Sequence, residues 1–131
     1  MNKEFVTYEQ ALALKELGFD EPCFFAFDNC STPMRCSDLR TNEQKFNGVN
    51  YNSSSYTSQP TYSQVFRWFR EKYNLKAYII PIEYLDGTQE TYQWNIFNKC
   101  HSGVDHLTYE EAEQACLDKL IEITNEEIKN R

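Results

Sequence analysis

Glycine and proline are scarce in this chain, four of each in 131 residues, and histidine is scarcer still, with two. Four glycines leave little material for a Gly-rich phosphate loop, and no such motif occurs. No pair of cysteines has the Cys-x-x-Cys spacing of a structural zinc site. The five that are present (Cys23, Cys30, Cys36, Cys100, Cys116) are odd in number and irregularly spaced, which argues for reduced thiols rather than a disulfide scaffold. Positive charge is also in deficit. Thirteen Lys and Arg stand against twenty Asp and Glu, a net charge of −7 that opposes generic binding to phosphate backbones. No apolar run approaches the roughly 20 residues a membrane helix needs. The stretch Met1-Asn2-Lys3-Glu4-Phe5 lacks the apolar core of a secretory signal. A cytoplasmic protein is expected.

What the chain has in quantity is aromatic side chains, 15% of residues, so a sizeable core is expected despite a hydrophobic fraction of only 40%. The length suits one domain. A short phrase recurs three times, at Thr7-Tyr8-Glu9-Gln10-Ala11, Thr61-Tyr62-Ser63-Gln64-Val65 and Thr108-Tyr109-Glu110-Glu111-Ala112. Its physical content is a capping box, in which the Thr hydroxyl accepts from the amide three residues on and Gln or Glu reaches back. Three similarly capped helices are predicted. The first runs Tyr8 to Leu17 and stops at Gly18.

The sequence Cys23-Phe24-Phe25-Ala26-Phe27 reads as a short buried strand. Residues 28–60 are polar and rich in Asn, Ser and Thr, an insertion expected to be functional, mobile or hiding an element of its own. Within it, Lys45 to Tyr51 is a weak strand candidate. In the central helix, Tyr62, Phe66, Phe69 and Tyr73 share one stripe with Val65 at its margin, while Trp68 falls outside.

A hairpin follows. Tyr78, Ile80, Ile82 and Tyr84 alternate on one strand, Tyr92, Trp94 and Ile96 on the next, and Asp86-Gly87 marks the turn. A two-residue loop pairs Ile82 with Thr91 and separates the two apolar faces. A three-residue loop, Leu85-Asp86-Gly87, pairs Ile80 with Tyr92 and Tyr78 with Trp94, uniting them; that register is the expected one, because a one-residue slip flips every side chain. Pro81 cannot donate to a ladder and predicts an edge strand or a bulge. The last helix, from about Tyr109 to Asn125 or a little beyond, carries two apolar stripes: Tyr109, Ala112, Cys116, Leu120 and Ile123, and beside them Leu117, Ile121 and Ile128. Together they cover about half its circumference, which calls for a second helix or a partner copy, as in a homodimer. Glu111, Asp118, Glu122 and Glu126 make its other face acidic.

The expected fold class is therefore α+β: a single domain over residues 1–131, with one antiparallel sheet of three to four strands packed by three helices in the order α-β-(β)-α-β-β-α. No catalytic constellation stands out. Cys100 beside His101 is not a nucleophile and base pair on adjacency alone. Cys100, His101 and His106, joined by Cys30 and Cys36, form the one grouping of zinc-like ligands, and without a Cys-x-x-Cys pair we expect no metal and no cofactor. The contact surface we single out is Arg67, Trp68 and Arg70 on the central helix, a basic and aromatic flank suited to anchoring a protein partner. A nucleic-acid-binding module using the same flank is the first alternative. A zinc-containing small domain or enzyme is the second.

The phrases Phe5 to Cys23, Pro60 to Tyr73 and Tyr109 to Ile123, about half of the chain, resemble a family of small proteins of Bacteroides-type gut bacteria, found largely in their phages and prophages. The family has no assigned activity, so the resemblance carries over no functional residue. It implies a phage-linked, cytoplasmic accessory protein; taken with the acidic charge and the lack of a catalytic constellation, the expected function is a non-enzymatic interaction protein of phage or prophage origin that binds a host or phage protein. Residues 28–59 depart from the family pattern and leave the role of that segment open.

Overall fold

The structure, a computed structural model, describes residues 4–23, 25–28, 33–35, 52, 56–83, 90–97, 101–103 and 105–130. In chain order the elements are α1 (Tyr8–Glu16), β1 (Phe25–Asp28), β2 (Pro33–Arg35), β3 (Tyr56–Ser58), α2 (Tyr62–Tyr73), β4 (Ala77–Glu83), β5 (Glu90–Ile96), β6 (His101–Ser102) and α3 (Tyr109–Lys129). The class is α+β, with three helices among the described residues and antiparallel strands throughout. The strands form two sheets, β2-β1-β3 and β4-β5-β6, where one sheet was expected. The reason is that the polar insertion supplies β2 and β3, which saturate both edges of β1 and leave it nothing to offer the hairpin. The chain divides into two compact units, Glu4–Thr61 and Tyr62–Arg131. None of the described helices is long and apolar enough to cross a membrane.

In the first unit, α1 begins with the predicted capping box. Thr7 Oγ1 accepts from Gln10 N at 3.2 Å, and Gln10 Oε1 accepts from Thr7 N at 3.2 Å. It ends as a Schellman motif: Gly18 takes φ 90°, Gly18 N donates to Lys15 O at 3.1 Å, and Phe19 N donates to Leu14 O at 3.0 Å. Phe19 and Leu14, the apolar pair that closes such a motif, are both fully buried. The helix packs on β3. Asn52, from the polar insertion, ties the two together: its Nδ2 donates to Phe19 O, and its Oδ1 accepts from Ser58 N at 2.8 Å. The weak strand expected at 45–51 lies outside the described residues. Rings pair at the sheet, Phe5 on Phe25 at 4.8 Å and Tyr8 on Phe27 at 5.2 Å, both edge to face.

In the second unit α3 packs on β5 and β4 and against α2. Thr108 caps α3, accepting from Glu111 N at 3.1 Å. The helix starts at Tyr109 as expected and runs past Asn125 to Lys129. Its broad apolar face is buried at Ala112, Cys116, Leu117, Leu120, Ile121 and Ile123, where α2 and the sheet pack on it, while Tyr109 and Ile128 of the same two stripes stay exposed. Thr124, fully buried in that face, donates its hydroxyl to Leu120 O at 2.8 Å. At the end of α2, Asn74 adopts the left-handed conformation (φ 56°), a position Asn tolerates better than most residues.

The β4–β5 register corrects the expected one. Ile82 pairs with Thr91, Ile80 with Gln93, Ile79 with Trp94 and Tyr78 with Asn95. This is the pairing a two-residue Asp86-Gly87 turn produces; the turn itself, 85–87, lies outside the described residues. The apolar faces of the two strands are thus on opposite sides of the sheet. Trp94 and Ile96 are buried, and the ring of Tyr92 on the same face meets Tyr109 of α3 at 5.9 Å. Tyr78, Ile80 and Ile82 lie on the other face. β4 is an edge strand, one of the two positions Pro81 allows. Tyr92 N donates to His106 O and His106 N to Tyr92 O, both at 2.8 Å, so both of its polar groups point away from β4. Pro81, directly opposite Tyr92, therefore faces the open edge and costs the ladder nothing.

On the other side of β5, Gly103 N donates to Trp94 O at 2.9 Å. The Gln93 amide donates to Asp105 Oδ1 at 2.5 Å.

Candidate interaction surface

Helical geometry separates the three residues singled out from the sequence. At about 100° per residue, Trp68 falls next to Val65 on the core side, whereas Arg67 and Arg70 fall on the far side. The buried arc of α2 therefore runs wider than its aromatic stripe, through Trp68, Val65, Phe69, Tyr62 and Phe66. Trp68 is only 4% exposed, its ring edge-on to Phe69 at 5.0 Å and to Tyr73 at 5.4 Å. The Lys72 ammonium sits over it, 5.1 Å from the ring centroid. The indole is thus a core group and does not stand on the surface beside the arginines. Arg67 and Arg70 are exposed.

The register that overturned the sequence expectation creates a surface instead. Tyr78 is 44% exposed and Phe97, one step past the end of β5, is 68% exposed. Phe97 N donates to Lys76 O at 2.9 Å, so Lys76, itself exposed, is the cross-strand neighbour of Phe97, and Tyr78 lies two residues along. Ile80 and Ile82 continue this face, half-buried. The signal for it was in the sequence, in the Asp86-Gly87 dipeptide that favours a two-residue turn. The apolar alternation of β4 pulled the assignment the other way.

At the opposite end of the sheet, the start of α3 gathers titratable groups without a catalytic arrangement. Burial, helped by the Glu110 carboxylate, raises Glu113 from an ordinary 4.5 to about 7. Burial, with the charge of Glu113 added, pushes the Cys116 thiol up to about 12, so at neutral pH it is a protonated core group and no nucleophile. Tyr109 is raised by burial and by Glu113, and Tyr92 chiefly by the neighbouring Glu90 carboxylate. The fold favours the neutral form of Glu113, so the stability it contributes is complete below about pH 4.5 and is lost as the pH rises through about 7. Half-exposure screens the magnitude but leaves the sign unchanged. Glu113→Gln should therefore raise the thermal midpoint at pH 8 and flatten its decline between pH 4.5 and 7. A variant with the wild-type pH profile would refute this assignment.

Of the zinc-like grouping, Cys30, Cys36 and Cys100 lie outside the described residues. His106 is held by its backbone against Tyr92, and its Nε2 is buried without a hydrogen-bond partner among the described residues. Cys23 and Cys116 are buried free thiols. No group of three or more His, Cys, Asp or Glu among the described residues is placed to hold a metal ion. Comparison of the chain with protein-family models, with curated proteins and with solved structures finds no match.

Proposed function

We propose that this chain is a non-enzymatic protein-interaction module whose contact surface is the outer face of the β4-β5-β6 sheet. The observation that carries the reading is the exposure of Tyr78 at 44% and Phe97 at 68% beside half-buried Ile80 and Ile82. Trp94 and Ile96, on the face turned to α3, are buried, whereas on the other face Tyr78 and Phe97 are exposed, Ile80, Ile82, Gln93 and Asn95 half-buried and Thr91 buried. Clustered exposed apolar side chains on a small protein mark interaction sites more often than scattered ones do, and aromatic rings are preferred anchors. The protonated state of Cys116 at neutral pH agrees with a role outside catalysis. The resemblance to phage and prophage proteins supports a host or phage protein as the partner and the cytoplasm as the setting.

Affinity capture from a host-like lysate tests the reading when wild type is run beside a Tyr78→Ser, Phe97→Ser double variant. Wild type should retain a specific protein that the variant releases by about tenfold or more, the weight of a typical aromatic hot spot. Both proteins should keep the same melting temperature, since the rings contribute little to the core. Identical retention by the two proteins, or none by either, would count against this face.

A further inference from the structure

We infer that the open edge of β4 takes up an extended segment of a partner protein as an added strand; this rests on the interaction reading above and specifies how the partner binds. The hydrogen-bond phase of the sheet shows which groups are on offer. Tyr92 and Trp94 direct their backbone groups away from β4, to His106 and Gly103, and Phe97 N donates to Lys76 O across the β4–β5 pair. Antiparallel pairs alternate between bonded and non-bonded. Tyr78, Ile80 and Ile82 therefore bond to β5, while Ala77, Ile79, Pro81 and Glu83 point outward. The edge presents the N–H and C=O of Ala77, Ile79 and Glu83 and the C=O of Pro81. Among the described residues no strand lies beyond β4, and none of these outward groups has a backbone partner.

A row of N–H and C=O groups at strand spacing is matched by one chemistry, another extended backbone. The outer face beside the edge supplies the selectivity. Tyr78, 44% exposed, and half-buried Ile80 and Ile82 lie there. An added strand sets every second side chain next to them, so the segment recognised carries apolar residues at alternate positions.

Pro81 decides between a partner and a second copy. It is exposed and lacks the donor that its outward position would hold. A foreign strand forgoes one bond at that point. β4 paired with its own copy forgoes two, and each copy brings a net charge of −7. The edge is guarded against itself and stays open to another chain.

The probe that tests this is a peptide of about ten residues alternating Val or Phe with Thr or Lys, titrated to about 1 mM and followed by the protein's amide NMR shifts. Shifts should be largest at Ala77 and Ile79. A bound strand uses only every second amide of each chain. N-methylating the peptide amides of one phase should therefore weaken binding by about tenfold or more, and methylating the other phase should leave it within about twofold. Ile79→Pro, which deletes the central outward donor, should weaken binding by about fivefold. Pro81→Thr, which supplies the missing donor, should tighten it by a similar factor and produce dimer in sedimentation. Should Ile79→Pro unfold the protein, the two methylated peptides decide the matter with wild type alone.

Equal binding of the two methylated peptides, or shifts centred away from Ala77 and Ile79, overturns the inference. If the peptide is then still lost in Tyr78→Ser with Phe97→Ser, the interaction face survives and only the added strand fails. Wild type that dimerises, and loses the dimer in Ile79→Pro, assigns the edge to a second copy and overturns the choice of partner. No binding of the unmethylated peptide overturns the inference as well, and the capture experiment above judges the face by itself.

Discussion

Gly103→Ala should destabilise the protein by about 2–3 kcal/mol, as overpacking of a filled site does. A β carbon built on Gly103 would lie 1.9 Å from Trp94 Nε1 and 2.2 Å from Cε2, far inside contact distance. The atoms in the way belong to a rigid indole that is only 8% exposed, so it cannot yield by flexing a free end. Either the ring turns out of its place under α3, or the 2.9 Å bond from Gly103 N to Trp94 O breaks and β6 detaches from β5. Equilibrium urea unfolding measures the loss. The cause is separable: in a Trp94→Ala background the same Gly103→Ala change should cost less than about 0.5 kcal/mol, the ordinary effect of a substitution that meets no obstacle. An unchanged midpoint in the single variant would show that the indole does not lie over the glycine.

Phe69→Ala should cost about 3–5 kcal/mol, the range for truncating a fully enclosed aromatic ring. Phe69 is 0% exposed, and its ring stands 5.0 Å from Trp68 and 5.9 Å from Tyr73. Removing it opens a cavity at the centre of the aromatic cluster and takes away the surface against which Trp68 is held. Trp68 should then become more exposed, read as a red shift of indole emission. Phe97→Ala is the natural comparison, since it deletes the same ring from a site that is 68% exposed and should change stability by less than about 0.5 kcal/mol. The two phenylalanines thus separate folding from the proposed interaction. Equal losses from both would undo the distinction between core and surface on which the site rests.

Much of the fold was legible wherever the deciding interaction spans only a few residues. The capping Thr7 and Thr108, the Gly18 stop and the β4 edge position that Pro81 allows are of this kind. Of the flank singled out in the sequence, only the exposure of Arg67 and Arg70 was legible. The sequence pattern puts Trp68 off the aromatic stripe and leaves it either to bury against another element or to stay partly exposed. A helix packed against a second helix buries a wider arc than its stripe. The alternation of Tyr78 with Ile80 and Ile82 is that of a strand with one buried side, which points Tyr78 to the core. On an edge strand that pattern does not say which side is covered, and one residue of register decides it.

Local chemistry, then, determines where each helix of the capped type starts, where α1 stops, and which strand can tolerate a proline. The tertiary arrangement decides that the polar insertion builds its own sheet around β1, that Trp68 is enclosed, and that the rings of Tyr78 and Phe97 face outward. The physical reason is range. A cap or a turn is settled by hydrogen bonds within three to five residues, which the order of residues contains directly. The side of a strand that becomes core depends on which distant helix covers it. Here α3, beginning at Tyr109, lies over Trp94 and leaves Tyr78 to the solvent.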